Sequence, residues 1–155
     1  MGNQAGEGAD DGRMGKVMQR IKLTNSYDED AVTRGHLGAD EVRSTEIDAL
    51  VDTGATMMVL PADAVSHLGL LPAGRRKVRY ADGRVAEVPW VGGIRIMILG
   101  REAIISALVE AAGTTPLIGQ IPLEELDLLV DPKSRELLVN PASPDAPLLD
   151  LLSVA

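Results

Sequence analysis

One carboxylate in this chain stands where a side chain could do chemistry. Residues 49–56 read Ala-Leu-Val-Asp-Thr-Gly-Ala-Thr, so an apolar run enters Asp52 and leaves through very small residues. A buried aspartate is expensive unless it is hydrogen-bonded or paired, and its cost calls for a compensating role. Gly54 and Ala55 let a ligand or a second backbone approach closely, while Thr53 and Thr56 supply hydroxyls. One carboxylate alone can act as a base or a ligand. Two facing carboxylates that share a proton do more: one activates a water and the other protonates a peptide carbonyl oxygen. Like charges about 3 Å apart cannot both ionise, so one pKa rises. The plainer reading of Asp52 is a turn aspartate accepting backbone hydrogen bonds after a strand. The apolar residues before it and Thr-Gly-Ala after it favour function.

Other chemistries are poorly supplied. The chain has no cysteine, which removes disulfides, thiol catalysis and thiolate metal sites. His36 and His67 are its only histidines, so no multi-histidine metal centre is expected, and no cofactor is called for. Both histidines read as solvated or capping groups. A formal net charge of −8 argues against nucleic acid or an anionic membrane as partner. No apolar run approaches the ~20 residues of a membrane span. The first residues carry neither a secretory pattern nor, with Gly6 in place of Ser or Thr, a good myristoylation signal. A cytoplasmic location is the expectation.

The elements that must position Asp52 are mostly strands. At 155 residues with 45% hydrophobic content, one domain with a real core is expected. That core is aliphatic, because the chain has no Phe, one Trp and two Tyr. Residues 1–15 are rich in Gly and acid and read as disordered. Residues 16–25 alternate as a strand with Val17, Ile21 and Leu23 inward. Residues 26–41 read as a loop or loose hairpin, and the runs 28–30 and 41–46 as solvated surface. Residues 42–55 read as a strand that becomes fully buried from Ala49 to Val51. A short strand, Met57–Leu60, precedes a two-turn helix with Pro61 in its first turn and Gly69 as its stop. Asp82-Gly83 is a hairpin turn between alternating flanks. Residues 93–110 read as two strands reversing at Gly100-Arg101. Leu117-Ile118-Gly119 leads into a short helix with Leu123, Leu126 and Ile121 on its apolar side. Residues 128–140 form a hairpin, and residues 141–155 a Pro-rich tail or an interface strand. Many short strands with turn signals and few helices predict an all-β fold with one or two short helices, as a small barrel.

Ala49 to Thr56 resembles the active-site loop of the retropepsin-like aspartic proteases, single-domain homodimeric relatives of pepsin, here in a prokaryotic-like form. Further landmarks follow in order. Residues 79–85, Arg-Tyr-Ala-Asp-Gly-Arg-Val, fall where the family has its flap hairpin, and Leu117-Ile118-Gly119 with the following helix falls where it has two apolar residues, a glycine and a helix. The likeness covers residues 16–140. It implies an aspartic endopeptidase with Asp52 as the catalytic carboxylate, Thr53 bracing paired loops across a two-fold axis, and Gly54 and Ala55 beside the substrate backbone. Tyr80, Ala81, Asp82 and Gly83 would close over the peptide, with Leu117, Ile118 and Gly119 lining the site. Only one Asp-Thr-Gly is present, so the resemblance implies a homodimer in which each subunit gives one Asp52. Its partner would be a peptide or protein substrate held by strand-like hydrogen bonds.

Two other readings compete. Asp52 to Thr56 also fits the short Asp-x-Gly-x-Thr phosphate loop of the actin and sugar-kinase superfamily, but that fold needs two α/β domains and more chain. The second is a latent or inactive retropepsin-fold dimer that binds peptides or acts as a scaffold, with the Pro-rich tail in the cleft.

Overall fold

A computed structural model describes residues 16–151; residues 1–15, expected to be disordered, lie outside the described residues. The first strand, β1 (Val17–Asn25), alternates as its sequence predicts, and Val17, Ile21 and Leu23 are buried. β1 pairs antiparallel along its length with β2 (Ser44–Val51), from Val17 opposite Val51 to Thr24 opposite Ser44. Next come β3 (Met58–Pro61), β4 (Gly74–Arg79), β5 (Val85–Ile98), β6 (Arg101–Glu110) and the two-residue β7 (Leu117–Ile118). These seven strands form one sheet in the order β1-β2-β7-β3-β6-β5-β4. An additional β1–β5 pairing, with Leu23 opposite Ile96, turns that sheet into a ring and leaves β4 projecting from it.

The core inside the ring is aliphatic, as the composition requires. Leu23, Met58, Leu60, Ile94, Ile96, Ile98 and Ile118 are fully buried within one cluster. Each such side chain contributes about 1.5–3 kcal/mol relative to leaving it in water. β5 serves two purposes along its length: its first half pairs with β4, and its second half pairs with β1 in the ring. A register shift between Val91 and Ile94 separates the halves, and Gly93 there takes φ +71°. A β-carbon on Gly93 would lie 2.3 Å from the Tyr27 ring, so the bulge is also a packing seat.

The stretch expected as a loop, residues 26–41, instead begins with a helix, α1 (Ser26–Thr33), and includes a 3₁₀ turn at Ala39–Glu41. Polar bonds hold α1, which is why it lacks an apolar period. The Asn25 side chain caps it by accepting from the N–H groups of Tyr27 and Asp28 at 2.9 and 3.1 Å, and donates to the Leu68 carbonyl at 2.8 Å. Asp28, expected on solvated surface, is buried. It accepts from Arg43 through the backbone N–H, Nε and Nη2, each at 2.9 Å. Those bonds, the guanidinium's first, hold the Asp28 carboxyl below its ordinary value.

The second helix, α2 (Ala62–His67), starts one residue later than its proline suggests. Pro61 stays extended because it pairs with Glu110 as the last residue of β3. Gly69 ends the helix at φ +68°, where a β-carbon would collide with the Arg43 guanidinium. The third helix, α3 (Gln120–Leu126), buries Leu123 and Leu126, but Ile121 faces outward. The closing hairpin, β8 (Leu128–Asp131) with β9 (Glu136–Val139), forms a separate two-stranded sheet as expected. Beyond it, residues 141–151 carry no strand in the single chain.

Candidate active site

Asp52 stands at the carboxyl end of β2, half-buried, where the chain leaves the ring. β7 fixes that end from the side. Leu50 pairs with Leu117 and Val51 with Ile118 in parallel register, while Val59 of β3 pairs with Leu117 from the other side. The Asp52 N–H donates to the Ile118 carbonyl at 2.9 Å, and the Leu50 N–H to the Pro116 carbonyl at 2.8 Å. The two-residue strand therefore sits between the strands that enter and leave the Asp-Thr-Gly turn.

Within the turn, the Ala55 N–H donates to the Asp52 carbonyl at 3.1 Å. The Gly54 N–H donates to Asp52 Oδ1 at 2.9 Å. That bond fixes Oδ1 and leaves Oδ2 with no hydrogen-bond partner among the described residues. Thr53 and Gly54 are exposed. The outer wall of the turn is clamped by the start of α3: Gln120 N–H donates to the Ala55 carbonyl at 2.8 Å, and Ile121 N–H to the Thr56 carbonyl at 2.9 Å.

Gly119 explains why a glycine closes the apolar pair. A β-carbon there would lie 2.4 Å from the Met57 carbonyl oxygen and 2.8 Å from that of Ala55. Both are backbone atoms, so only glycine lets the two segments interlock. Thus Asp52, Gly54, Ala55, Leu117, Ile118 and Gly119 form one interlocked unit, with Thr53 exposed on the turn between them.

The other expected site residues lie elsewhere, on a hairpin. β4 and the first half of β5 pair from Gly74 opposite Trp90 to Arg79 opposite Val85, and Tyr80 to Arg84 make the turn. Tyr80 N–H donates to the Arg84 carbonyl at 2.8 Å, Gly83 N–H to the Tyr80 carbonyl at 2.9 Å, and Gly83 takes φ +89°. Ala81, Asp82 and Gly83 are exposed. Among the described residues, no hydrogen bond joins Tyr80, Ala81, Asp82 or Gly83 to the Asp52 turn. Tyr80 instead turns back: its hydroxyl donates to Glu110 Oε2 at 2.5 Å, and the Arg84 guanidinium lies 3.9 Å from its ring centre. The bond to Glu110 raises the Tyr80 pKa above its ordinary value of 10.0.

Sequence reasoning missed Glu110, whose place at the end of β6 gives no local signal. It also missed Arg101 and Asp127, which organise the tail. Arg101, buried, donates to the carbonyls of Leu126 and Asp127 at 3.0 Å each and to the Ser143 carbonyl. Asp127 accepts from Ser143 Oγ, Asn140 Nδ2 and the Leu148 N–H.

Residues 40–96 match a family model described as aspartyl protease. The matched segment contains the Asp52 turn, β3 and the β4–β5 hairpin, and ends before Leu117-Ile118-Gly119. No curated protein matches the chain.

Proposed function

We propose that the protein is an aspartic endopeptidase in which Asp52 residues from two copies of the chain hold and activate one water. The observation that carries this reading is the clamped Asp52 turn: one carboxylate on an open turn, oriented by Gly54 and interlocked with Gly119. The match of residues 40–96 to an aspartyl protease model supports the same chemistry. Each chain supplies a single Asp-Thr-Gly, so the dyad requires a homodimer with the exposed Thr53 and Gly54 of both turns near the two-fold axis.

In that dimer the two carboxylates share one proton. The ionised one takes a proton from the water as it attacks the scissile carbonyl carbon, and the protonated one gives its proton to the carbonyl oxygen. As the C–N bond breaks, the carboxyl that took the water's proton gives it to the leaving amine. The other carboxylate takes a proton back from the intermediate's hydroxyl, which restores the shared-proton pair. Thr53 braces the paired turns, Gly54 and Ala55 flank the substrate backbone, and the tip from Tyr80 to Gly83 covers it. Leu117, Ile118 and Gly119 form the wall behind Asp52. Among the described residues, no helix is long and apolar enough to cross a membrane. A cytoplasmic site of action agrees with the cysteine-free composition.

Mixing tests the shared dyad. Asp52→Asn chains added in excess to wild type should abolish activity by forming mixed dimers, and specific activity should fall on dilution. Specific activity that is independent of concentration and unaffected by the variant would overturn the two-chain site.

A further inference from the structure

The hairpin near the Asp52 turn runs against the electrostatic sign of the chain. Residues 74–87 hold Arg75, Arg76, Lys77, Arg79 and Arg84 against only Asp82 and Glu87, while the chain as a whole carries −8. All four cations of β4 are exposed, and β4 is the edge of its sheet. Arg75 leans toward Glu87 at 3.9 Å. Among the described residues, Arg76, Lys77 and Arg79 form no salt bridge. Charge on an edge strand discourages unwanted pairing, but that task needs neither a single sign nor a groove beside it.

Such a groove exists. It has a volume of about 280 Å³, with Met57, Ile104 and Ile121 as apolar walls, Ser106 between them, and Arg76 and Glu125 as charged margins. Ile104 and Ile121 are 50% and 47% exposed, unusual for isoleucines on separate elements that meet. The groove shares a wall with the catalytic turn: the Met57 carbonyl abuts Gly119, and Ile121 N–H bonds the Thr56 carbonyl. Arg76 is held at the margin by the Trp90 ring, 4.7 Å from its guanidinium carbon.

We propose that this groove is a specificity site for acidic peptide segments: it seats an aliphatic side chain while Arg76 takes the carboxylate of the residue two positions away. Successive side chains of an extended peptide point to opposite faces, so with an aliphatic residue lowered between Ile104 and Ile121 the residue two positions away returns to the same side, toward Arg76 at the groove margin. The free edge of β4 and its unpaired cations favour an acid there. The substrate assignment rests on the peptidase reading; the groove's binding preference can be read without cleavage.

The test uses the full-length Asp52→Asn protein with labelled Ile and Met methyl groups, and two peptides that differ only in Asp or Lys two residues from one Leu. The expected result is a shift of the Met57, Ile104 and Ile121 methyl signals, with about tenfold tighter binding of the Asp peptide, and a reversed preference in Arg76→Glu. Wild-type kcat/KM for the two peptides should show the same preference. Cleavage with these methyl signals unmoved, or with preference unchanged by Arg76→Glu, would overturn the groove and leave the peptidase standing. Shifted signals with no cleavage would support the groove and overturn the peptidase. Neither response would overturn both, and an oligonucleotide that matched the Asp peptide on these signals would overturn the choice of an acidic peptide.

Discussion

Tyr80, at the root of the hairpin turn, donates its hydroxyl to Glu110 at the end of β6, 2.5 Å away and 30 residues along the chain. Glu110 is itself paired with Pro61, the last residue of β3. The hairpin is therefore tied to the strand that leaves the Asp52 turn, while its tip is free. Losing the bond should cost about 1 kcal/mol. Tyr80→Phe and Glu110→Gln should each speed amide exchange across residues 80–84 and lower kcat/KM about fivefold. Glu110 raises the Tyr80 pKa above 10.0, so the tie holds below that pH and is lost as alkaline pH removes the proton. Unchanged exchange in both variants would show that the tie does not restrain the hairpin.

Gly119→Ala should be among the most damaging one-methyl changes in the chain. The added carbon meets two backbone carbonyls, so relief requires moving β7 or the Asp52 turn. A stability loss of about 2–3 kcal/mol is expected in urea unfolding, with activity lost beyond what unfolding explains. Gly54→Ala places its carbon 3.2 Å from Asp52 Oδ1. It should reduce activity while leaving the unfolding midpoint nearly unchanged.

Arg43→Ala should destabilise the protein by about 2 kcal/mol, because it leaves the buried Asp28 carboxylate without its main donors. The Asp28 pKa is lowered on folding. Its contribution is thus present above the ordinary carboxylate range and fades as pH falls through the folded value. Asp28→Asn should lower stability at pH 7 and flatten the acid limb of the stability profile. A profile parallel to wild type would contradict this.

Much of the architecture was legible because strands here alternate and turns carry their usual residues. Val17, Ile21 and Leu23 marked the inner face of β1, and Asp82-Gly83 marked the hairpin. Asp52 and Leu117-Ile118-Gly119 could be singled out, but their interlock could not, since it depends on a carbonyl at Met57 approaching from another segment. Helix α1 escaped notice for a related reason. Its stability comes from the Asn25 cap and from Arg43, fifteen residues beyond Asp28, and neither leaves an apolar period. Ile121 read as a core residue by helical spacing, yet the clamp on Thr56 turns it outward into the groove with Ile104. Ring closure by β1 and β5 is a long-range pairing that no local pattern announces.

The tail after β9 should stay fixed through the pH range of a peptidase assay. Bonds from Ser143, then Asn140 and the Leu148 N–H, lower the Asp127 pKa from 3.8 to about 2. The tie is fully present above 3.8 and is lost only as pH falls through about 2. Asp127→Ala should open residues 141–151 to limited proteolysis at pH 7, with the core untouched. Equal protection in the variant would mean that Arg101 alone holds the tail.

The most direct measurement is cleavage of a mixed peptide library from pH 4 to 7 by wild type and by Asp52→Asn, at matched folding and dimer content. Cleavage by the wild type that disappears in the variant is the expected result. Cleavage that survives in Asp52→Asn, or none from a well-folded wild-type dimer, would contradict an aspartic peptidase built on this turn.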